Sequence, residues 1–249
     1  MPTVHLLGTG AVVSDPHRTT TMMALDNGRG TLLVDCGGDA VPRLAAAGLD
    51  PLSLAALIVT HEHADHVAGF PLAMERLWLL GRRTPLPVHG IPAALDQLAR
   101  SHDAFDTSGF EDYAGWTCRP FPLEEGALVL EAHGWRVTAA PGVHAVPTVG
   151  LRFHDLGSDT VVAISGDTAP TPAITRLAQG CDLLLHEATG TGPVHSDALQ
   201  AAETARAAGA GRLVLVHLPP AEALAERLTA ARAVRPDLEV AEELARYRV

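Results

Sequence analysis

A layered α/β fold is predicted for this chain of 249 residues by three observations. Short apolar runs alternate with helical segments from end to end, the pattern of strands packed against helices. Several of those runs stop at His, Asp or Glu, and an α/β sheet presents its functional groups at the carboxyl ends of buried strands. The length and a hydrophobic content of 47% supply a sizeable core, and no composition break is long enough for a linker, so one domain over residues 1–249 is expected.

The elements follow in order. Val4 to Leu7, Thr20 to Leu25 and Thr31 to Asp35 read as opening strands, with Asp26-Asn27-Gly28 as a turn signal. Asp39 to Ala47 reads as a helix closed by Gly48. The run Leu57-Ile58-Val59 is a buried strand. Phe70 to Leu80 and Pro92 to Arg100 look helical, separated by the short strand Pro87 to His89. A second group of strands is expected from Thr117 to Ile164, broken at Glu124-Glu125-Gly126 and at His133-Gly134. The chain closes with helices near Thr171 to Ala178, Ser196 to Ala208 and Ala221 to Val234, between strands at Asp182 to Leu185 and Arg212 to Val216. Leu224, Leu228 and Ala231 recur at helical spacing, giving the last helix one buried face.

The most informative stretch is Thr60-His61-Glu62-His63-Ala64-Asp65-His66, three imidazoles and two carboxylates directly after a buried strand. Imidazole is the commonest protein metal ligand, and carboxylate suits the same divalent ions. Alternation along an extended chain sends His61, His63 and Asp65 to one side, and a turn at Asp65 brings His66 back beside them. The pattern echoes downstream. His144 follows Trp135 to Ala140, and Asp167 follows Val161 to Gly166. His186 and Glu187 follow Asp182 to Leu185, His195 sits in a Gly-rich loop, and His217 follows Leu213 to Val216. A lone His after an apolar run is an ordinary core residue; the recurrence at one end of strand after strand predicts a site.

The order His-x-His-x-Asp-His, then single His, Asp and His, resembles the metallo-β-lactamase superfamily over nearly the whole chain. Within it the chain looks closest to ribonuclease Z and related small phosphodiesterases. The similar segments are Leu6-Leu7-Gly8-Thr9-Gly10, Val34-Asp35-Cys36-Gly37, Ser165-Gly166-Asp167-Thr168, Leu185-His186-Glu187-Ala188-Thr189, His195-Ser196 and Gly211 to His217. The resemblance implies an αββα sandwich of two mixed sheets flanked by helices. It implies that His61, His63 and His144 hold one divalent ion, that Asp65, His66 and His217 hold a second, and that Asp167 bridges them. Zinc is the first choice for such N/O ligands, with manganese or iron as alternatives. Such a pair would share a hydroxide suited to in-line attack on phosphorus. His195, oriented by Glu187, resembles the pair that protonates the leaving group, and Asp65 is a further proton acceptor. Asp35 is expected behind a ligating imidazole or as a turn residue, His186 to be supporting, and Glu62 to point away. A homodimer is also implied.

The chain departs from ribonuclease Z in places. Ala64 stands where Gly is usual, Asp197 where Thr is usual, and Thr148-Val149-Gly150-Leu151 lacks the expected Tyr. Only 22 residues separate His144 from Asp167, too few for the long arm with which ribonuclease Z grips transfer RNA. The formal charge is −11 from 18 Arg, no Lys and 29 acidic residues, whereas nucleic-acid binders normally present a basic face. A small or cyclic phosphodiester is therefore the favoured substrate. A transfer-RNA 3′-processing endonuclease is the alternative, and a non-enzymatic metal-stabilised protein is the rival of another class.

Other signals bound the setting. No apolar run approaches the roughly 20 residues that cross a bilayer, and Met1-Pro2-Thr3-Val4-His5 lacks the pattern of a secretory signal. Cys36, Cys118 and Cys181 are odd in number and widely spaced, which reads as buried free thiols in the cytoplasm. Asp103 to Trp116 gathers four of the ten aromatics with four acidic residues; it is expected to be an active-site cover, a subunit contact or a packed surface loop.

Overall fold

The opening strands fold as a meander. β1 (Thr3–Gly8), β2 (Met22–Asp26) and β3 (Thr31–Val34) pair antiparallel in chain order, with the Asn27-Gly28 turn between the last two. β4 (Leu54–Val59), β5 (Leu86–Gly90) and β6 (Trp116–Pro120) then add in parallel to β3. Parallel neighbours need a crossover. It is supplied by α1 (Ala40–Ala46) from β3 to β4, by α2 (Ala64–Val67) with α3 (Phe70–Leu79) to β5, and by α4 (Pro92–Asp103) to β6.

The second half repeats the scheme. β7 (Ala127–Ala132), β8 (Trp135–Pro141), β9 (Val149–Asp155) and β10 (Val161–Ile164) pair antiparallel, and β11 (Leu183–Glu187), β12 (Arg212–Val216) and β13 (Glu239–Val240) add in parallel. α5 (Pro172–Leu177), α6 (Ala198–Ala208) and α7 (Ala221–Val234) make the connections. The computed structural model, which describes residues 1–249, is thus a four-layer αββα sandwich of two seven-stranded mixed sheets. Leu6, Leu25, Leu57 and Ile58 of the first sheet are fully buried in the same continuous core as Trp135 and Phe153 of the second. The last two rings meet edge to face, a favoured aromatic geometry.

Three features differ from the sequence expectation, and a fourth matches one of its alternatives. β6 is the edge of the first sheet and not the start of the second, because sheet membership is decided by pairing with β5 and not by chain proximity. The tail returns: β14 (Arg246–Arg248) pairs antiparallel with β1 on the opposite edge. Cys36 and Cys181 are buried, but Cys118 is exposed, since edge strand β6 leaves its end uncovered. Finally, the Asp103–Trp116 stretch is a packed surface loop. Phe110 stacks on Trp78 with ring centroids 4.2 Å apart, Trp78 Nε1 donates to the Glu111 carbonyl, and His102 shares a 2.7 Å hydrogen bond with the Tyr113 hydroxyl.

One departure from the family pattern has a local reason. Asp197 caps α6, accepting from the Gln200 N–H, while Gln200 accepts from the Asp197 N–H. That reciprocal box is open to Asp as readily as to Thr.

Candidate active site

The strand directions place the functional loops. β8, β10, β11 and β12 run the same way in the second sheet, so the residues after each of them gather at one end. β3 and β4 are parallel in the first sheet and deliver Asp35 and the His61–His66 stretch to the same place. Two glycines permit the close approach. A Cβ on Gly37 would lie 1.7 Å from the Asp65 carbonyl oxygen, and one on Gly166 would lie 2.4 Å from that of Val149. Gly166 also has φ +61°, which side-chain-bearing residues resist.

His61 follows β4 in extended chain, but the turn begins one residue before the sequence suggested. Ala64 opens α2, so Asp65 and His66 ride on a helical turn capped by His63. The reason is local: the His66 and Val67 N–H groups close back on the His63 carbonyl.

Two groups of donors result. In the first, His63 Nδ1 faces His61 Nε2 at 3.1 Å and His144 Nε2 at 3.0 Å. In the second, His66 Nε2 and His217 Nε2 lie 3.6 and 3.4 Å from Asp65 Oδ2. Asp167 Oδ2 stands between the groups, 3.9 Å from His61 Nε2, 3.5 Å from His66 Nε2 and 3.3 Å from His217 Nε2. All seven residues that the sequence singled out as metal ligands are brought together.

The outward nitrogens fix the rings. Thr60 Oγ1 donates to Asp35 and can accept from His61 Nδ1 at 3.1 Å. His66 Nδ1 donates to Asp35 Oδ2 at 2.8 Å. His144 Nδ1 donates to the Val194 carbonyl at 2.9 Å. Thr189 Oγ1 donates to the His217 carbonyl and accepts from His217 Nδ1 at 2.6 Å. With the Nδ1 proton held outward in each ring, four Nε2 lone pairs converge, the outer-shell arrangement that orients metal-ligating imidazoles. His66 Nε2 is buried and has no hydrogen-bond partner, a cost that a cation would remove. This donor set fits divalent metal ions.

Burial and the neighbouring charges set how each group titrates. Burial, with the His66 charge nearby, holds the His61 imidazole well below its ordinary range. Burial also lowers His63 and His144. Burial works against His66, but the Asp167 and Asp35 carboxylates outweigh it and hold that ring well above the ordinary value. Burial pushes the Asp65 and Asp167 carboxyls up; the neighbouring imidazoles overcome this and leave both depressed, Asp167 strongly so.

Beside these groups, both Glu187 oxygens lie 3.0 Å from His195 Nδ1. Glu187 also accepts from the Thr168 N–H, which ties it to the Asp167 loop. The Glu187 hydrogen bond lifts the His195 imidazole above its ordinary range despite partial burial. The His195 ring lies 4.8 Å from that of His144 and 5.9 Å from that of His217, centroid to centroid. Asp35 is buried with φ +59° and accepts from Thr60 and His66, so it supports the site and is not merely a turn residue. Glu62 and His186 join none of the donor groups; His186 is fully buried and bonds through Nδ1 to the Glu187 carbonyl. Sequence reasoning missed Thr60, Thr189 and the Val194 carbonyl. The first two were visible only as hydroxyls adjoining His61 and Glu187-Ala188.

Comparison with known proteins bears on the family. Residues 31–218 match the family described as Beta-lactamase superfamily domain. The chain belongs to the β-lactamase superfamily. Its branch is ribonuclease Z-like: the ribonuclease Z of Mycobacterium sp. (strain KMS) is 33% identical over 99% of this chain and 95% of its own length. The ribonuclease Z of Methanothermobacter thermautotrophicus is 29% identical, covering 98% of this chain and 95% of its own. That second alignment spans 307 positions against 249 residues, so part of that relative has no counterpart here. Among solved structures, the metallo-β-lactamase fold protein YhfI from Bacillus subtilis superposes with a TM-score of 0.84 at 23% identity, each chain fully covered. Human tRNase Z, short form, gives 0.81 at 22% identity, covering 99% of this chain and 98% of its own. Both likenesses speak to the fold.

In metal-stripped protein, His66 should titrate well above about 6.5, its unfolded value. A raised folded value means its contribution to stability is complete below about pH 6.5 and is lost as pH rises through the folded value. Asp35→Asn should move the His66 resonance titration downward and flatten that alkaline loss in chemical denaturation. A His66 titration at or below the ordinary value would contradict the assignment of its partners.

Proposed function

We propose that residues 1–249 form one hydrolase domain that cleaves a phosphodiester with the help of two divalent metal ions, zinc being the first choice. His61 Nε2, His63 Nδ1 and His144 Nε2 would hold one ion and Asp65, His66 Nε2 and His217 Nε2 the other, with Asp167 standing between the two groups. The observation that carries this reading is the convergence of four Nε2 lone pairs whose rings are pinned from behind by Thr60, Asp35, Val194 and Thr189. A packed core gains nothing from that arrangement, and a cation does. Bound there, two such ions supply Lewis acidity and a water activated for attack at neutral pH.

The chain's own groups do the rest. Asp65, depressed and ionised at neutral pH, orients the attacking water by accepting its hydrogen bond and serves as its proton acceptor. His195, protonated through its Glu187 partner, gives its Nε2 proton to the departing oxygen while Nδ1–H stays on the carboxylate. The phosphorus–oxygen bond breaks, the leaving group departs as an alcohol, and His195 is left neutral.

A small or cyclic phosphodiester is the favoured substrate. β9 and β10 are joined by only Leu156 to Thr160, which leaves no protruding arm between His144 and Asp167. The loop bonded to Leu218, beside His217, exposes Val12 and Val13 where a polyanion would call for basic groups. The names of the curated relatives favour the second reading, a transfer-RNA 3′-processing endonuclease. We further propose a homodimer in the cytoplasm. No helix is long and apolar enough to cross a membrane, and the three cysteines are free. Leu79 and Leu80 at the end of α3 are exposed with Leu52 on one face that also holds Val41 and Pro42, which suits a second copy.

Three outcomes are expected. The metal-loaded protein hydrolyses bis(p-nitrophenyl) phosphate and acts on a 2′,3′- or 3′,5′-cyclic nucleotide in preference to precursor transfer RNA; clean cutting after the discriminator base would reverse the substrate order, and inertness toward every diester would end the enzymatic reading. His195→Ala keeps its metal content but slows unactivated diesters by about 10²–10⁴-fold. The wild-type rate on such substrates falls as pH rises through the raised His195 value, and the variant loses that fall; an unchanged profile removes His195 from the chemistry. Sedimentation gives twice the 26.1 kDa chain mass, and a monomer at micromolar concentration would remove the dimer.

A further inference from the structure

His217 has φ +49°, a left-handed backbone that a side-chain-bearing residue adopts only when its surroundings impose it. Thr189 grips the residue itself, through the imidazole Nδ1 and the carbonyl oxygen. The peptide that follows is held by a different part of the chain. The Leu218 N–H donates to the Thr9 carbonyl at 2.9 Å, and the Leu218 carbonyl accepts from Ala11 N at 3.0 Å and from Ser14 Oγ at 2.8 Å. The position of Thr9 therefore sets where the backbone leaves His217.

Thr9 is itself completely buried and anchored by the C-terminal segment. Its N–H and its hydroxyl both donate to Glu243 Oε1, each at 2.8 Å, and its hydroxyl oxygen accepts from Arg18 at 2.6 Å. The other Glu243 oxygen forms an ion pair with Arg43, whose Nε donates to the Leu7 carbonyl. Leu244, also left-handed at φ +61°, donates to the Leu6 carbonyl. Neither Thr9 nor Glu243 lies within the residues 31–218 that match the family; of the groups that anchor Glu243, Arg43 alone comes from inside that span.

We propose that Glu243, acting through Thr9, is a positioning residue for His217, so that the C-terminal segment sets how firmly the Asp65–His66–His217 group retains its metal ion. The inference rests on the two-ion reading given above and adds to it a selective dependence. Loosening Thr9 releases the peptide after His217 and lets its backbone relax out of the left-handed region, which swings Nε2 away from Asp65 and Asp167. The His61–His63–His144 group is built from β4, its following turn and the β8–β9 loop, none of which bonds to Thr9 or Glu243, so it keeps its ion.

The test uses the full chain loaded with zinc or cobalt and challenged with a graded chelator, read as metal per chain by elemental analysis and by the cobalt absorption spectrum. Wild type should bind two ions. Glu243→Gln and Thr9→Val should release one of them about 10- to 100-fold more readily, the range seen when outer-shell partners of metal ligands are removed, and hold the other as wild type does. Glu239→Ala, which breaks the exposed ion pair with Arg212 on the same tail, should leave both unchanged. If Glu243→Gln does not fold, Thr9→Val, which removes only a hydroxyl, decides the matter. Wild-type retention of both ions in a folded variant, or equal weakening of both, overturns the proposal. A wild-type chain that takes up no pair of ions is a separate result, and it fells the two-ion reading on which the proposal rests.

Discussion

A single buried carboxylate organises this molecule. Asp167 Oδ2 lies within 3.9 Å of imidazole nitrogens from His61, His66 and His217, residues contributed by both sheets. A buried carboxylate is tolerated only when positive charge or a metal compensates it. The end of β10 must therefore meet the loops after β4 and β12. The glycine before it, the tie from Glu187 to Thr168 and the parallel run of β10, β11 and β12 all serve that meeting. The two sheets pack face to face through their apolar sides, and the site occupies the one edge where their polar strand ends converge.

Much of this was legible in the sequence because ligand chemistry and strand ends coincide. His61, His144, Asp167, Glu187 and His217 each terminate or closely follow an apolar run, and most of those runs are short continuous apolar stretches of the kind that mark strands buried on both faces. What escaped notice was non-local. Thr189 and Thr60 hold imidazoles through single hydroxyls, and a Thr beside a strand end has no distinctive pattern. β13 and β14 are two and three residues long, too short for periodicity to register. β6 joined the first sheet because of whom it pairs with, and Cys118 is exposed for the same reason. The Asp103–Trp116 loop looked like a candidate cover by composition, but Phe110 packs on Trp78 and Tyr113 on His102, and Phe105 alone of its four aromatics stays largely exposed.

The same contrast bears on substrate. The centre is assembled at the ends of strands, with its rings steadied by Thr60, Asp35, Thr189 and the Val194 carbonyl. Selection among phosphodiesters must come from the rim: the short β9–β10 link, the valine-bearing loop after β1, and the segment from Thr189 to Val194. A chain with net charge −11 gains little from counterion release along a polyanion, which leaves the shape of that rim to discriminate under the proposed function.

Anomalous X-ray diffraction from crystals of the zinc-reconstituted protein tests the central claim most directly. The account predicts two peaks about 3.5–4 Å apart, one among His61, His63 and His144, the other among Asp65, His66 and His217, with Asp167 between them. No peak after reconstitution, or metal bound elsewhere on the surface, would contradict it.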